Sequence, residues 1–317
     1  MAANWKKLLI TGVVAAIFIL LPLVMEIGTS IMNLLVLLFT FIILAQSWNL
    51  MGGYTGQINL GLAAFFGCGV LVTHFIWKAE VPIYLAVIAG GVSAVVLAVV
   101  IGLPTLRLKG VYFAIGTLAL AEVCRIVVGN IFTRMVQMPG SYAVTYSLIP
   151  RYYLGLIVAV IAIAVVYLVT NSKLGLAMVA VRDDEVAAQV TGVNTFKYKV
   201  LALLISAFLA GLAGGVYAFF RLSFMYITAV FSPLWTFESL MAVMIGGAGT
   251  LFGPVIGSIF LVVLSEIFAL TLGEAHLILF GILFILVVLY FPFGLVGSVD
   301  RVRQVMVRVS RSICKAR

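Results

Sequence analysis

Charged side chains are scarce in this chain. They make up 9% of its 317 residues, whereas soluble domains carry about 25%. Hydrophobic residues reach 65%, and the mean hydropathy is +1.29. So few polar groups cannot cover a globular surface. The composition therefore excludes a water-soluble protein and indicates a membrane protein.

The apolar runs also lack the polar–apolar alternation of membrane β-strands. The run LIVAVIAIAVVYLV at 156–169, for example, contains no polar residue apart from its tyrosine. Backbone that crosses a bilayer must satisfy its own hydrogen bonds, which leaves helices and closed barrels as the two solutions. We therefore predict an all-α integral membrane protein.

Cysteine and histidine are rare, with three and two residues. Cys68, Cys124 and Cys314 are far apart and form no CxxC motif, and neither His74 nor His276 has a neighbouring ligand residue. These spacings argue against a disulfide, a metal site and a nucleophile beside a base. We predict no catalytic residue, no metal and no cofactor in this chain.

Spans of about 20 apolar residues, enough to cross a bilayer, recur along the chain. They predict a polytopic bundle of about ten helices, with nine or eleven left open. The third, eighth and ninth spans are short or contain glycine, so they are candidates for broken or re-entrant segments. We expect one transmembrane domain over 1–300 and a basic tail over 301–317. The predicted spans are 8–25, 31–50, 58–77, 82–106, 111–131, 152–171, 200–220, 233–248, 251–270 and 276–296.

The net charge of +9 comes mostly from short loops and the tail. With the N-terminus inside, 14 Lys and Arg residues fall in inner segments and 4 in outer ones. The positive-inside rule therefore predicts that both termini and the loop at 172–199 are cytoplasmic. Basic residues beside spans serve as lipid anchors, and we expect no nucleic-acid partner.

Small residues recur at four-residue spacing in the fourth and seventh spans. Such rows let two helix backbones approach closely, so we predict tight helix packing there. The rows are Gly90, Ala94, Ala98 and Gly102; Ser206, Ala210 and Gly214; and Ala207, Gly211 and Gly215.

Two glycine-rich stretches, 51–69 and 245–257, interrupt the apolar pattern. Non-helical backbone at membrane depth is tolerated where it is buried or lines water, and broken helices frame the substrate path in many transporters. A tight interhelical turn with no ligand is the other interpretation, and it stays open. The candidate residues near a translocation path are Tyr54, Gln57, Asn59, Phe65, Gly247, Gly249 and Thr250.

Two opposite charges, Glu122 and Arg125, stand within the fifth span. Because residues three apart share a helix face, we predict a mutually neutralising intramembrane charge pair. They could instead be partners of neighbouring helices, and substrate contact is a further alternative.

Three of the ten acidic residues stand in a row in RDDEVAAQVTG, at 182–192. The surrounding loop, 172–199, has the apolar spacing of one or two short helices, with Gly192 as a stop and Asn194 or Thr195 as the next cap. A short helix is marginally stable alone. We therefore expect the loop to dock onto a cytoplasmic partner.

Ala187 and Ala188 followed by Gly192 resemble the EAA-and-Gly motif of ABC importer permeases. In that family the loop forms a coupling helix that fits a groove on the ATPase subunit. Other stretches resemble the branched-chain amino-acid permeases, of the LivM type, over about 45–297. They are GGYTGQINLGLAAFFGCG (52–69), RLKGVYFAIGTLALAEVCRIV (107–127), YKVLALLISAFLAGLAGGVYA (198–218), FESLMAVMIGGAGTLFGPVIG (237–257) and YFPFGLVG (290–297).

The resemblance implies a bacterial inner-membrane importer working by alternating access. This chain would pair with a second, related permease, two cytoplasmic ATPases that bind ATP and Mg, and a periplasmic or lipid-tethered binding protein. The chain itself has no GxxxxGK[ST] phosphate loop. The residues implied to couple to the ATPase are Arg182, Asp183, Asp184, Glu185, Ala187, Ala188 and Gly192.

Several alternatives stay open. Asn59 and Leu62 stand where the family pattern has Ser and often His, so the cargo could be branched-chain or other amino acids, urea or related amides. An ion-driven secondary transporter would need an intramembrane carboxylate, for which Glu122 is the candidate. A membrane enzyme or a purely structural subunit would be further classes.

Overall fold

The structure is a computed structural model that describes residues 28–132, 147–221 and 226–272, together with positions 281, 282, 285, 289 and 294. Regular structure in these residues is entirely helical. The predicted first span, at 8–25, and the tail, at 301–317, lie outside the described residues. So does the predicted tenth span, at 276–296, apart from single positions.

The described residues form eleven helices, and the longer ones coincide with apolar runs that lack alternation. The short turn Leu103–Thr105 extends the third of them. The helices are α1 Thr29–Asn49, α2 Leu62–Lys78, α3 Ile83–Leu97, α4 Val111–Ile131, α5 Leu148–Thr170, α6 Lys173–Asp183, α7 Glu185–Val190, α8 Thr195–Phe220, α9 Ile227–Val230, α10 Leu234–Gly246 and α11 Gly253–Leu272.

Seven helical segments in the described residues are long and apolar enough to cross a membrane. This confirms the predicted polytopic helix bundle. The segments are Thr29–Tyr54, Ile83–Thr105, Val111–Ile131, Leu148–Thr170, Thr195–Phe220, Ile227–Gly246 and Gly253–Thr271.

The three spans suspected of being broken differ from one another. The third is shorter than predicted, because residues 55–61 are not helical and α2 begins at Leu62 with 17 residues. The eighth, predicted over 233–248, is one continuous helix, α10, and the short helix α9 precedes it, separated from it by residues 231–233. The ninth, α11, is a full 20-residue helix.

Helix α8 is the centre of the bundle and packs against α1, α2 and α3. The predicted rows of small residues make these contacts. A Cβ added to Gly69 would lie 2.3 Å from the carbonyl oxygen of Gly211, and one added to Gly211 would lie 2.7 Å from that of Gly90. Backbones that come this close have no room for larger side chains, so the packing prediction is confirmed.

Two helices contain π-helical segments, in which the backbone repeat widens by one residue. Leu50–Tyr54 follows α1, and Ala98–Gly102 follows α3. Such segments often mark functional regions. The first leads to Gly56, whose φ of 73° is a left-handed conformation that favours glycine. Helix α1 therefore ends in an irregular turn. The turn lies next to the segment between α5 and α8 that contains α6 and α7, which we call the α6–α7 loop.

Candidate functional site

The loop between α5 and α8 folds into two helices at an angle. Asp184 is extended, with φ −157°, and its Oδ1 accepts the backbone N–H groups of Val186 and Ala187 at 2.8 and 3.0 Å. It is therefore the N-cap of α7. Gly192, with φ 88°, follows α7, and Asn194 Oδ1 accepts the N–H of Lys197 to cap α8. The predicted stop and cap are both confirmed.

Glu185 forms an ion pair within the chain. Its Oε2 lies 2.7 Å from Nζ of Lys199, whose side chain is 4% exposed. Lys199 belongs to the first turns of α8. An ammonium group this buried needs a partner, so the pair ties α7 to the central helix of the bundle.

Helix α7 buries one alanine and exposes the remainder of its apolar residues. Ala188 is 4% exposed, whereas Val186 and Val190 are 69% and 83% exposed, and Leu176 on α6 is 74% exposed. Ala187 and Gly192 are also exposed. We call Leu176, Val186, Ala187, Val190 and Gly192 the docking face, because an apolar face on a loop is typical of a surface that a partner covers.

Arg182 connects this loop to both glycine-rich stretches. Its Nη1 donates to the carbonyl oxygen of Gly53 at 2.9 Å, and its Nε and Nη2 each lie 3.2 Å from Oδ1 of Asp183. A Cβ on Gly249 would lie 2.8 Å from Arg182 Nη1, and one on Gly56 would lie 2.9 Å from Arg182 Cγ. Because Gly249 and Gly56 have no side chains, they leave room for the Arg182 side chain in a crowded turn.

Asn49, at the end of α1, joins this helix to the second of the two stretches. Its Nδ2 donates to the carbonyl oxygen of Thr250 at 2.9 Å, and its Oδ1 accepts the N–H of Gly249 at 2.8 Å. One turn earlier, Gln46 Nε2 donates to the carbonyl oxygen of Leu251 at 2.7 Å. Both side chains are fully buried. We call Arg182, Asn49, Gly53, Gly249 and Thr250 the glycine joint.

Sequence reasoning missed Asn49 and Gln46. Their signal was present, since three polar residues end the otherwise apolar run of α1 in AQSWN. Buried polar groups in a membrane helix require hydrogen-bond partners. The Asn49 and Gln46 side chains have them in the backbone groups of a turn.

The turn at 247–253 is closed by its own hydrogen bonds. Gly247, with φ 121°, is the residue after α10. Thr250 Oγ1 donates to the carbonyl oxygen of Gly247 at 2.8 Å and accepts the N–H of Gly253 at 3.0 Å. Three path candidates, Gly247, Gly249 and Thr250, therefore form a rigid turn within the joint.

Two other path candidates line a recess between α2, α3, α4 and α8. Asn59 and Phe65 border it together with Thr105 and Thr117, and the enclosed space is about 10 Å³, room for roughly one water molecule. Asn59 is 1% exposed, and its Oδ1 accepts the N–H of Gly61 at 2.8 Å. Its Nδ2 is buried with no hydrogen-bond partner among the described residues. The recess thus offers one hydrogen-bond donor in apolar surroundings.

The last two path candidates lie between the joint and the recess. Tyr54 is 8% exposed and ends the π-helical segment. Gln57 donates its backbone N–H to the carbonyl oxygen of Met51 at 2.9 Å, and its side chain is half-buried. The seven candidates therefore divide into a joint, a recess and a short connection.

Glu122 and Arg125 form the predicted pair near the middle of α4. Arg125 Nε lies 3.0 and 2.9 Å from the two carboxylate oxygens, and Nη2 also bonds Oε1. Both side chains are 36% exposed, and within the described residues each hydrogen-bonds to the other. Their partner is thus on the same helix.

Comparisons with known proteins agree with this architecture. The family described as "branched-chain amino acid transport system / permease component" matches residues 30–288. The chain is 27% identical to the high-affinity branched-chain amino acid transport system permease protein LivM of Escherichia coli, over 86% of this chain and 71% of that protein. It is 28% identical to the LivM protein of Salmonella typhimurium, over 80% and 67% of the two chains.

A probable branched-chain amino acid transport permease protein LivM of Methanocaldococcus jannaschii is 24% identical over 67% of each chain. No solved structure matches the chain. The family match covers most of the spans, the glycine joint, the recess and the α6–α7 loop. The chain belongs to the family of branched-chain amino acid permease components, which are transmembrane transport subunits of ABC transporters.

Proposed function

We propose that this chain is one permease subunit of an ATP-driven importer for branched-chain or related amino acids in the bacterial inner membrane. It works with a second permease, two ATPases that bind ATP and Mg, and a substrate-binding protein. The observation that carries the proposal is the α6–α7 loop, which presents an exposed docking face and contacts both glycine-rich stretches through Arg182.

We infer the orientation from charge. With the N-terminus inside, the positive-inside rule predicts that the α6–α7 loop, the glycine joint and both termini are cytoplasmic. An ATPase is a cytoplasmic protein, so the docking face is on the side where it is needed. The chain reverses direction at each span, so α1 and α10 both run inward and their ends meet at the joint.

Motion of the loop would reach the spans through short, stiff connections. Arg182 bonds Gly53 at the end of α1, and Asn49 bonds the turn between α10 and α11. The Glu185–Lys199 pair ties α7 to α8. A partner that binds the docking face differently in two states can shift such an element between two positions.

Asp183 bonds Arg182 through Oδ1 and keeps its other carboxylate oxygen for a partner. Asp184 caps α7 and Glu185 pairs with Lys199, whereas the Asp183 side chain is 66% exposed. We propose that Asp183 contacts a basic group on the ATPase, while Asp184 and Glu185 set the orientation of α7.

The recess at Asn59 and Phe65 is the proposed wall of the translocation path. Its lining is mostly apolar, which suits a hydrocarbon side chain, but in this conformation it is closed to substrate, with room for roughly one water molecule. Gln57 is proposed to lie between this recess and the cytoplasmic end of the translocation path.

Reconstitution tests the proposed function. The permease pair, the ATPases and the binding protein are placed in vesicles, and uptake of leucine, isoleucine and valine is followed with ATP and without it. We expect uptake that requires ATP and is indifferent to proton or sodium gradients. Uptake that follows an ion gradient and ignores ATP contradicts the proposal and favours a secondary transporter.

A further inference from the structure

The Glu122–Arg125 pair lies at the middle of the membrane on an exposed helix face. Glu122 is eleven residues after Val111, which at about 1.5 Å per residue places it roughly 16 Å along α4, half of a bilayer core of about 30 Å. Helix α4 is also the least buried of the seven candidate spans, with 22% of its most apolar window buried.

A charged pair exposed here is costly if the face meets lipid. Each charge at the bilayer centre costs a few kcal/mol, and intramembrane charges therefore usually face protein or water. The neighbouring face of α4 packs on the bundle through Phe113, Thr117 and Ala121. The exposed face must therefore meet either a neighbouring subunit or an aqueous path.

The pair retains hydrogen-bonding capacity after the two partners have bound each other. Two of the three guanidinium nitrogens of Arg125 contact the carboxylate, and each carboxylate oxygen of Glu122 keeps lone-pair positions directed away from Arg125. A ligand that carries one ammonium and one carboxylate can therefore bind both residues without separating them. Such a ligand is neutral overall, so its entry adds no net charge to the site.

The neighbours of the pair on the same face are apolar. Ile115 precedes Glu122 by seven residues and Ile126 follows it by four, so the three share one stripe of the helix. They are 59% and 53% exposed. Charges of both signs between two exposed isoleucines match an amino-acid backbone next to an aliphatic side chain.

We propose that Glu122 and Arg125 form a substrate site for zwitterionic amino acids on the exposed side of α4, next to the face that lines the recess. Glu122 accepts hydrogen bonds from the substrate ammonium, Arg125 donates to the substrate carboxylate, and Ile115 and Ile126 contact the side chain. The site rests on the proposed function and specifies how that function selects its substrate.

Reconstituted, ATP-driven uptake of leucine tests the site in the complete complex. The variants are Glu122→Gln and Arg125→Gln, which keep most of the volume and remove one charge each, with Val123→Ala on the same helix as a control. Loss of one charge-assisted hydrogen bond predicts a roughly 10- to 100-fold rise in KM for leucine.

Co-purification with the second permease separates this role from a structural one. We expect both Gln variants to assemble as Val123→Ala does. An unchanged KM overturns the site. So does uptake that falls only in proportion to lost assembly, which would make the pair part of an interface between subunits. If the unmodified complex takes up no amino acid, the proposed function itself fails, and the site fails with it.

Discussion

At the scale of single residues, Asn49 uses both polar atoms of its amide group in buried hydrogen bonds. One amide group satisfies two backbone groups, the N–H of Gly249 and the carbonyl of Thr250, and the side chain is inaccessible to solvent. The amide therefore holds the end of α1 against the turn between α10 and α11.

Replacing Asn49 tests this role. Asn49→Leu leaves two buried backbone groups without partners, each worth about 1–3 kcal/mol, so we expect a marked fall in the melting temperature of the purified protein. Asn130→Leu, at an exposed position of α4, is the control. Equal melting temperatures for the two variants would show that the joint contributes little to stability.

The ion pair between Glu185 and Lys199 gives a second residue-scale prediction. Removing one partner leaves the other charge uncompensated, and for Glu185→Gln we expect a loss of up to about 3 kcal/mol. The double variant Glu185→Gln with Lys199→Met should lose less than the two single variants summed. The unfolding free energies of the unmodified protein, the two single variants and the double variant together measure this coupling. Additive losses would mean that the two groups do not interact.

At the scale of elements, the crossing of α8 with α2 depends on missing side chains. A Cβ on Gly214 would lie 2.3 Å from the carbonyl oxygen of Phe66, which is backbone and cannot turn aside. We expect Gly214→Ala to separate the helices and to lower both expression and melting temperature. Gly116→Ala is the matched control, because its Cβ would meet the end of the Leu108 side chain at 2.8 Å. That variant should be neutral or slightly stabilising, since alanine favours helix.

The elements also show what a sequence can and cannot reveal. Apolar run length and small-residue spacing predicted the spans and the close contacts of α8, because these properties are local to one segment. The contacts of Arg182 with Gly53 and of Gln46 with Leu251 could not be predicted, because they join segments 129 and 205 residues apart. Glu185 was expected to face a partner, and its bond to Lys199 was equally beyond local reasoning.

At the scale of the whole molecule, Gly192 tests the transmission of motion. A Cβ there would meet nothing within 4 Å, so a side chain at this position fits the isolated chain. Gly192→Val adds bulk to the docking face and strains a φ of 88° by roughly 1–2 kcal/mol. We expect less uptake per ATP hydrolysed, with partial assembly, in reconstituted vesicles.

Gly192→Asn separates the two causes, because asparagine tolerates a left-handed backbone. If bulk is what matters, both variants lose coupling. Recovery in Gly192→Asn would assign the loss to backbone strain. Normal coupling in both variants would contradict a close contact between Gly192 and an ATPase.

The glycine joint also constrains how the chain is made. Gln46 and Asn49 leave the ribosome some 200 residues before the backbone groups that they bind, at sequence separations of 205 and 201. Until Thr250 and Leu251 have been synthesised, two polar amides at the end of α1 have no turn to bind. The chain up to residue 250 therefore holds these two amides without their native partners, and we expect chains that stop short of residue 250 to be removed by quality-control proteases.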